Sequence, residues 1–163
     1  MMLIGDFNSR TSNLNDIMLF ETNDHVDESS YKYLNVMNTF KNLNIPLVRN
    51  NKDKTVNKNG KDFIQMCMLQ ELCILNGRMG ADKNEGNFTF DYASTIDYII
   101  CTPDLLTHVT NFKVDTLCDV LSDKHNPITV NLNLDCQMHQ ENITHTHNSS
   151  TNNTTNEKKV KCK

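Results

Sequence analysis

Asp6 and Asn8 are the first residues in the chain whose types and spacing can do chemistry. They follow the apolar run Met1-Met2-Leu3-Ile4, which Gly5 stops. A short apolar run bounded by Gly reads as a buried strand, and in open α/β sheets chemistry sits just beyond the carboxyl ends of such strands. Two apart on an extended segment, Asp6 and Asn8 project from one face. That face carries a carboxylate that can orient or deprotonate a water. It also carries an amide that can donate to a developing oxyanion, a pair suited to phosphoryl chemistry. The plainer alternative is a strand end with turn residues, where Gly, Asp and Asn are common. Arg10, just past Asn8, is placed to reach a phosphate, or is a solvated loop arginine.

Two later segments read Ser94-Thr95-Ile96-Asp97-Tyr98 and Ser122-Asp123-Lys124-His125-Asn126-Pro127. Together with Gly5-Asp6-Phe7-Asn8, and in this order, they resemble the endonuclease/exonuclease/phosphatase superfamily of DNase I-like, metal-dependent phosphodiesterases. The family's motifs are G-D-x-N, S-x-I-D-Y and S-D-H-x-P. The connecting text is similar to the branch found in non-LTR retrotransposon endonucleases. Ser9-Arg10-Thr11 continues the first motif and residues 57–60 open a helix. Ile74-Leu75-Asn76-Gly77-Arg78 follows, and Phe88-Thr89-Phe90 precedes the second motif. The resemblance spans residues 1–135.

The resemblance implies a fold and a site. The fold is α/β: the C-terminal half of a DNase I-like α/β sandwich, mostly antiparallel sheet with outer helices. It occupies residues 1–136, with a tail at 137–163. Asp6 then orients or activates the attacking water and holds Mg²⁺ or Mn²⁺, and Asn8 holds the scissile phosphate. Asp97 fixes the tautomer of His125, which contacts the phosphate or assists catalysis. Arg10, Asn76 and Ser94 are the expected substrate contacts, although Asn76 could equally cap its turn. Two departures bear on activity. Lys124 stands where the family has an Asp beside the His, and Asp123 becomes a metal ligand only if the turn carries one extra residue. The family's metal-binding Glu and a further Asn belong to a first half that this chain does not match. The expectation is a Mg²⁺-dependent nuclease domain, truncated and weak or inactive alone, acting on nucleic acid with DNA ahead of RNA. The alternatives are a phosphatase of the same fold and a catalytically dead remnant that at most binds a partner. The expected location is intracellular, nuclear for a retrotransposon endonuclease, and not secreted.

Composition sets bounds on these readings. A chain of 163 residues is expected to form one domain. Met1–Ile4 is too short for a signal peptide, and no apolar stretch approaches the about 18 residues that span a membrane. Sixteen basic and 20 acidic side chains give a formal charge of −4, which argues against tight non-specific DNA binding through a broad basic face. The six cysteines, at 67, 73, 101, 118, 136 and 162, form no C-x-x-C pair, which argues against structural zinc. Cys67, Cys73, Cys101 and Cys118 lie in apolar runs and read as small buried hydrophobes in a reducing compartment.

The elements that must position the site are read from periodicity. Residues 9–30 read as a polar surface loop pinned by a patch at 17–20; within it His25 stands among Asp24, Asp27 and Glu28, a cation cluster or a solvated loop. Residues 31–45 carry Leu34, Met37, Phe40 and Leu43 at helical steps, ended by Pro46. Residues 49–59, with Arg49, Lys52, Lys54 and Lys58, offer a phosphate-backbone contact or a solvated linker. Residues 61–72 read as a helix and 73–75 as a strand. Residues 87–90 and 96–101 read as a hairpin-like pair. Thr102 and Pro103 start a short helix running to His108. Strands are expected at 111–117 and at 128–134, the latter with clean period-two alternation. From residue 137 the Asn, Thr, His and Ser composition cannot bury a core and implies disorder. His139, His145 and His147 there are assigned no site, and the sequons at Asn87, Asn142, Asn148, Asn152 and Asn153 read as chance.

Overall fold

The fold is mixed α/β with antiparallel sheets, seen in a computed structural model that describes residues 1–18, 30–117, 120 and 124–134. The elements run β1 (Met2–Asp6), α1 (Ser30–Asn42), α2 (Lys58–Leu69), β2 (Cys73–Ile74), a 3₁₀ turn (Gly80–Asp82), β3 (Asp97–Cys101), α3 (Pro103–Leu106), β4 (Val109–Val114) and β5 (Ile128–Leu132). Apart from Leu134, the described residues belong to one compact unit, Met1–Asn133. The tail, the His25 cluster, Phe20, Cys118, Asp123, Cys136 and Cys162 lie outside the described residues. Among those described, no helix is long and apolar enough to cross a membrane.

β3 is central because all five of its residues are buried. Successive strand side chains alternate between faces, and both faces of β3 are covered. Ile99 and Cys101 join a cluster with Val36 and Phe40 of α1, Leu106 of α3 and Phe112 of β4. Tyr98 and Ile100 join Phe63, Ile64 and Cys67 of α2. An uninterrupted apolar run is the pattern of a strand buried on both faces. β1 and β2 both pair antiparallel with β3, in the order β1-β3-β2, and β4 pairs antiparallel with β5 in a separate sheet.

Several boundaries differ from the periodicity, each for a local reason. α1 stops at Asn42, before Pro46, because Asn44 takes a left-handed conformation (φ 52°) and the Ile45 N–H returns to the Phe40 carbonyl at 2.8 Å. Its inward face is Val36 and Phe40, and Leu43 lies past its end, 38% exposed. α2 begins at Lys58 because the Asn57 side chain accepts the Gly60 N–H. Thr102 takes the N-cap position of α3, but its hydroxyl accepts from the Met1 amino group instead of capping, and the helix is one turn long. Residues 87–90 do not join β3 as a strand; Phe90 instead bridges Ser94 across a tight turn.

β1 corrects the expectation of a buried strand. Leu3 is 40% and Ile4 56% exposed, because β1 is an edge strand with β3 alone beside it among the described residues. The loop after it is also corrected. Ser9, Thr11 and Asp16 are buried, not surface residues, while Ile17 is buried in the core as a pinning residue. Asp16 centres a buried ionic knot, pairing with Arg78 at 2.7 Å and lying 3.7 Å from Arg49 Nε, and Thr11 Oγ1 accepts from Arg49 Nη2. Arg49 is thus removed from the basic loop proposed to meet phosphate, being 2% exposed. Of that loop's lysines, Lys52 pairs with Glu85 at 3.1 Å and Lys54 donates to the Asn51 carbonyl. Cys67, Cys73 and Cys101 are free, buried thiols. Burial pushes Cys67 and Cys101 up to about 12 and Cys73 upward as well, so none offers a thiolate at neutral pH.

Candidate active site

The last residue of β1 and the first of β3 face each other in register as Asp6 and Asp97. Directly opposed carboxylates repel, so this end of the sheet asks for positive charge. His125 lies beside them, and one donor atom from each of Asp6, Asp97 and His125 falls within 4.8 Å of the others. The His125 Nδ1 is 3.0 and 3.1 Å from the two Asp97 carboxylate oxygens. The tautomer with Nδ1–H donating to Asp97 is assigned from that bond. The Phe90 ring packs against the imidazole at 4.7 Å and 66°. Asp6 is exposed, whereas Asp97 is 8% exposed.

Asn8 reaches Asp6 by another route than strand alternation. The strand ends at Asp6, and Asn8 has φ 50°. Its side chain therefore does not share the Asp6 face by strand periodicity. Instead the Asn8 N–H donates to Asp6 Oδ1 at 2.8 Å, which fixes the carboxylate.

The second edge of β3 shows how the site is held. β2 is only two residues long, and the Leu75 N–H extends the ladder to the Ile99 carbonyl at 2.9 Å. Beyond that, side chains take the place of strand backbone. Asn76 accepts the Ile99 N–H at 3.2 Å and donates to the Asp97 carbonyl at 3.1 Å. Asn76 is 1% exposed. Its amide is spent on β3 and presents no face to a substrate, which corrects its assignment as a substrate contact. Thr89 Oγ1 accepts the Ile96 and Asp97 N–H groups, both at 3.0 Å.

Arg10 is anchored, with its Nε and Nη2 donating to the two Asp53 oxygens at 2.8 and 2.7 Å and Nη2 also to the Ala93 carbonyl at 3.3 Å. The hydrogen bond to Asp53 raises the guanidinium's pKa further. Burial pushes the Asp53 carboxyl up, but Arg10 and the Thr55 and Thr95 amides outweigh it and hold Asp53 below the usual range. A third of the Arg10 side chain stays exposed. Ser94 closes the turn after Phe90, its carbonyl accepting the Thr89 and Phe90 N–H groups, and is 8% exposed. Lys124 Nζ stands 6.0 Å over the Phe90 ring.

The residues that sequence reasoning missed are Asp53, Asn51 and Phe90. Asn51 accepts the Asp53 N–H and Asp53 accepts the Thr55 N–H. Asn-x-Asp-x-Thr, with two turn-forming side chains in succession, was the available signal. For the Phe90–His125 contact the spacing of 35 residues left none.

Two carboxylates and an imidazole are a donor set that a divalent cation accepts. Mn²⁺ tolerates the nitrogen more readily than Mg²⁺, which prefers oxygen. Asp6, exposed and held by the Asn8 amide, is the residue that would carry such an ion. Asp97 already serves His125. Comparison with protein-family models, curated proteins and solved structures finds no match for this chain.

Proposed function

We propose that the chain carries a divalent-cation-dependent phosphodiester hydrolysis site acting on nucleic acid, DNA ahead of RNA. In this reading its fold is the C-terminal half of a DNase I-like α/β sandwich. The observation that carries it is the meeting of Asp6, Asp97 and His125 within 4.8 Å, each from a different one of the three motifs. Asp6 orients the attacking water, and the Asn8 amide keeps its carboxylate from turning away. Asp97 fixes the His125 imidazole, which contacts the phosphate or assists its hydrolysis. Arg10, braced by Asp53, supplies a fixed positive charge for a substrate phosphate. A bound Mg²⁺ or Mn²⁺ would stabilise charge on the phosphorus oxygens.

Turnover is expected to be slow, because Lys124 stands where the family pattern has an Asp beside the His, so the turn offers one carboxylate fewer to a cation. That departure also favours a second reading, a site that binds nucleic acid without cleaving it. Plasmid nicking with Mg²⁺ or Mn²⁺ separates the two. Slow, Mn²⁺-supported nicking is expected, lowered about 10²-fold or more by His125→Ala and likewise lost in Asp6→Asn. Cation-dependent retention of DNA without nicking would establish the second reading. Nicking that is indifferent to both substitutions would remove this site from the reaction.

A further inference from the structure

We infer that Thr89 is the positioning residue of the Asp97–His125 pair, holding both partners at once through its hydroxyl and its backbone. The inference rests on the proposed reading of that pair. Thr89 is fully buried. Its Oγ1 uses both acceptor sites on β3, for the Ile96 and Asp97 N–H groups. Its carbonyl accepts the Asn126 N–H at 2.8 Å, and its own N–H donates to the Ser94 carbonyl at 2.9 Å. Asp97 and the residue next to His125 are therefore both fastened to one threonine.

The surrounding bonds point the same way. The His125 segment is tied to residues 88–91 at three further places. Asn126 Nδ2 donates to the Phe88 carbonyl at 2.8 Å, the Asp91 N–H donates to the Lys124 carbonyl at 2.9 Å, and Phe90 bridges His125. Residues 88–91 thus carry the imidazole, and Thr89 Oγ1 is where they grip the start of β3. A carboxylate–imidazole bond of 3.0 Å tolerates little drift between its two supports. Removing the hydroxyl while keeping the shape of the side chain should loosen one support from the other.

The test reads the imidazole itself. In ¹⁵N-labelled protein at alkaline pH, the His125 ring nitrogens are expected to show a single tautomer protonated at Nδ1. Thr89→Val should lose that signature and give averaged ring shifts, and Thr89→Ser should restore it. Backbone amide shifts of β4 and β5 report that the variant is folded. If the valine variant does not fold, Thr89→Ala leaves room for a water to accept from the two amides and is expected to lose the signature in the same direction. Unchanged His125 ring shifts in a folded Val or Ala variant would overturn the inference, as would failure of Thr89→Ser to restore them. A parent that never nicks DNA but shows the Thr89-dependent signature supports the positioning role and overturns the reaction instead.

Discussion

Asp16→Asn is expected to lower the unfolding free energy by about 3–5 kcal/mol, the cost of breaking a buried ion pair by removing one partner. Asparagine keeps the shape and removes the charge. The Asp16 oxygens accept from Arg78 Nη1 and Nη2 at 2.7 and 2.8 Å and from the Ile74 N–H at 2.7 Å. Arg78 places its remaining donors on the Pro46, Ile74 and Leu47 carbonyls. Arg49 brings a second buried cation, whose Nε and Nη1 find no hydrogen-bond acceptor among the described residues. One carboxylate thus serves two guanidinium groups, and its loss leaves both cations buried without an anion among the described residues. Burial by itself pushes the Asp16 carboxyl up, but Arg78 and Arg49 more than reverse that and hold it below its ordinary value of 3.8. With a depressed pKa, its stabilising contribution is present above that ordinary value and is lost as pH falls. Urea unfolding at neutral pH measures the effect. A loss under about 1 kcal/mol would mean that the pair behaves like a surface contact.

Gly77→Ala should cost about 2–4 kcal/mol, from a left-handed backbone and from overpacking against a neighbour that cannot yield. Gly77 has φ +70°, and an added Cβ would lie 1.8 Å from the Asn50 carbonyl oxygen. That oxygen is backbone. Gly86, with φ +63°, presses on the same carbonyl from another segment, so the backbone at residue 50 is closed in by both glycines. The displacement would reach the site through Asn51 and Asp53, which hold Thr95 and Arg10. The measured outcome should be a lower urea midpoint together with weaker phosphate or DNA retention. An unchanged midpoint would show that residues 50–51 can move aside without loss.

What was legible in the sequence was whatever burial writes as a continuous or periodic pattern. The run at 96–101 declared β3 because both of its faces are covered. The meeting of Asp97 with His125 was legible only through motif order, since no periodicity links residues 28 apart. Charge direction was not legible. Arg49 stands among Asn and Lys as any solvated arginine would, and its partner Asp16 lies in a polar stretch that carries no apolar period. Nor was the covering of β1, because Met-Met-Leu-Ile reads alike at an edge and at a sheet centre. Asn76 looked like a site residue for a sound reason, its place at a strand end. The shortness of β2, which turns that amide into a backbone substitute, is a property of the assembled sheet.

Tyr98 has an optical consequence. The chain contains four tyrosines and no tryptophan, so its near-ultraviolet absorbance and emission belong to phenol rings. Tyr98 sits 5.1 Å from the Phe63 ring and is wholly enclosed, and its hydroxyl lies within 2.8–3.1 Å of Thr95, Ser9 and Thr11. Burial above all raises its pKa, so its phenolate band should appear later in an alkaline titration than that of an ordinary phenol. One ring beside the Asp97 strand end thus becomes a spectroscopic gauge of whether the loop after β1 remains closed over the sheet, with no label introduced.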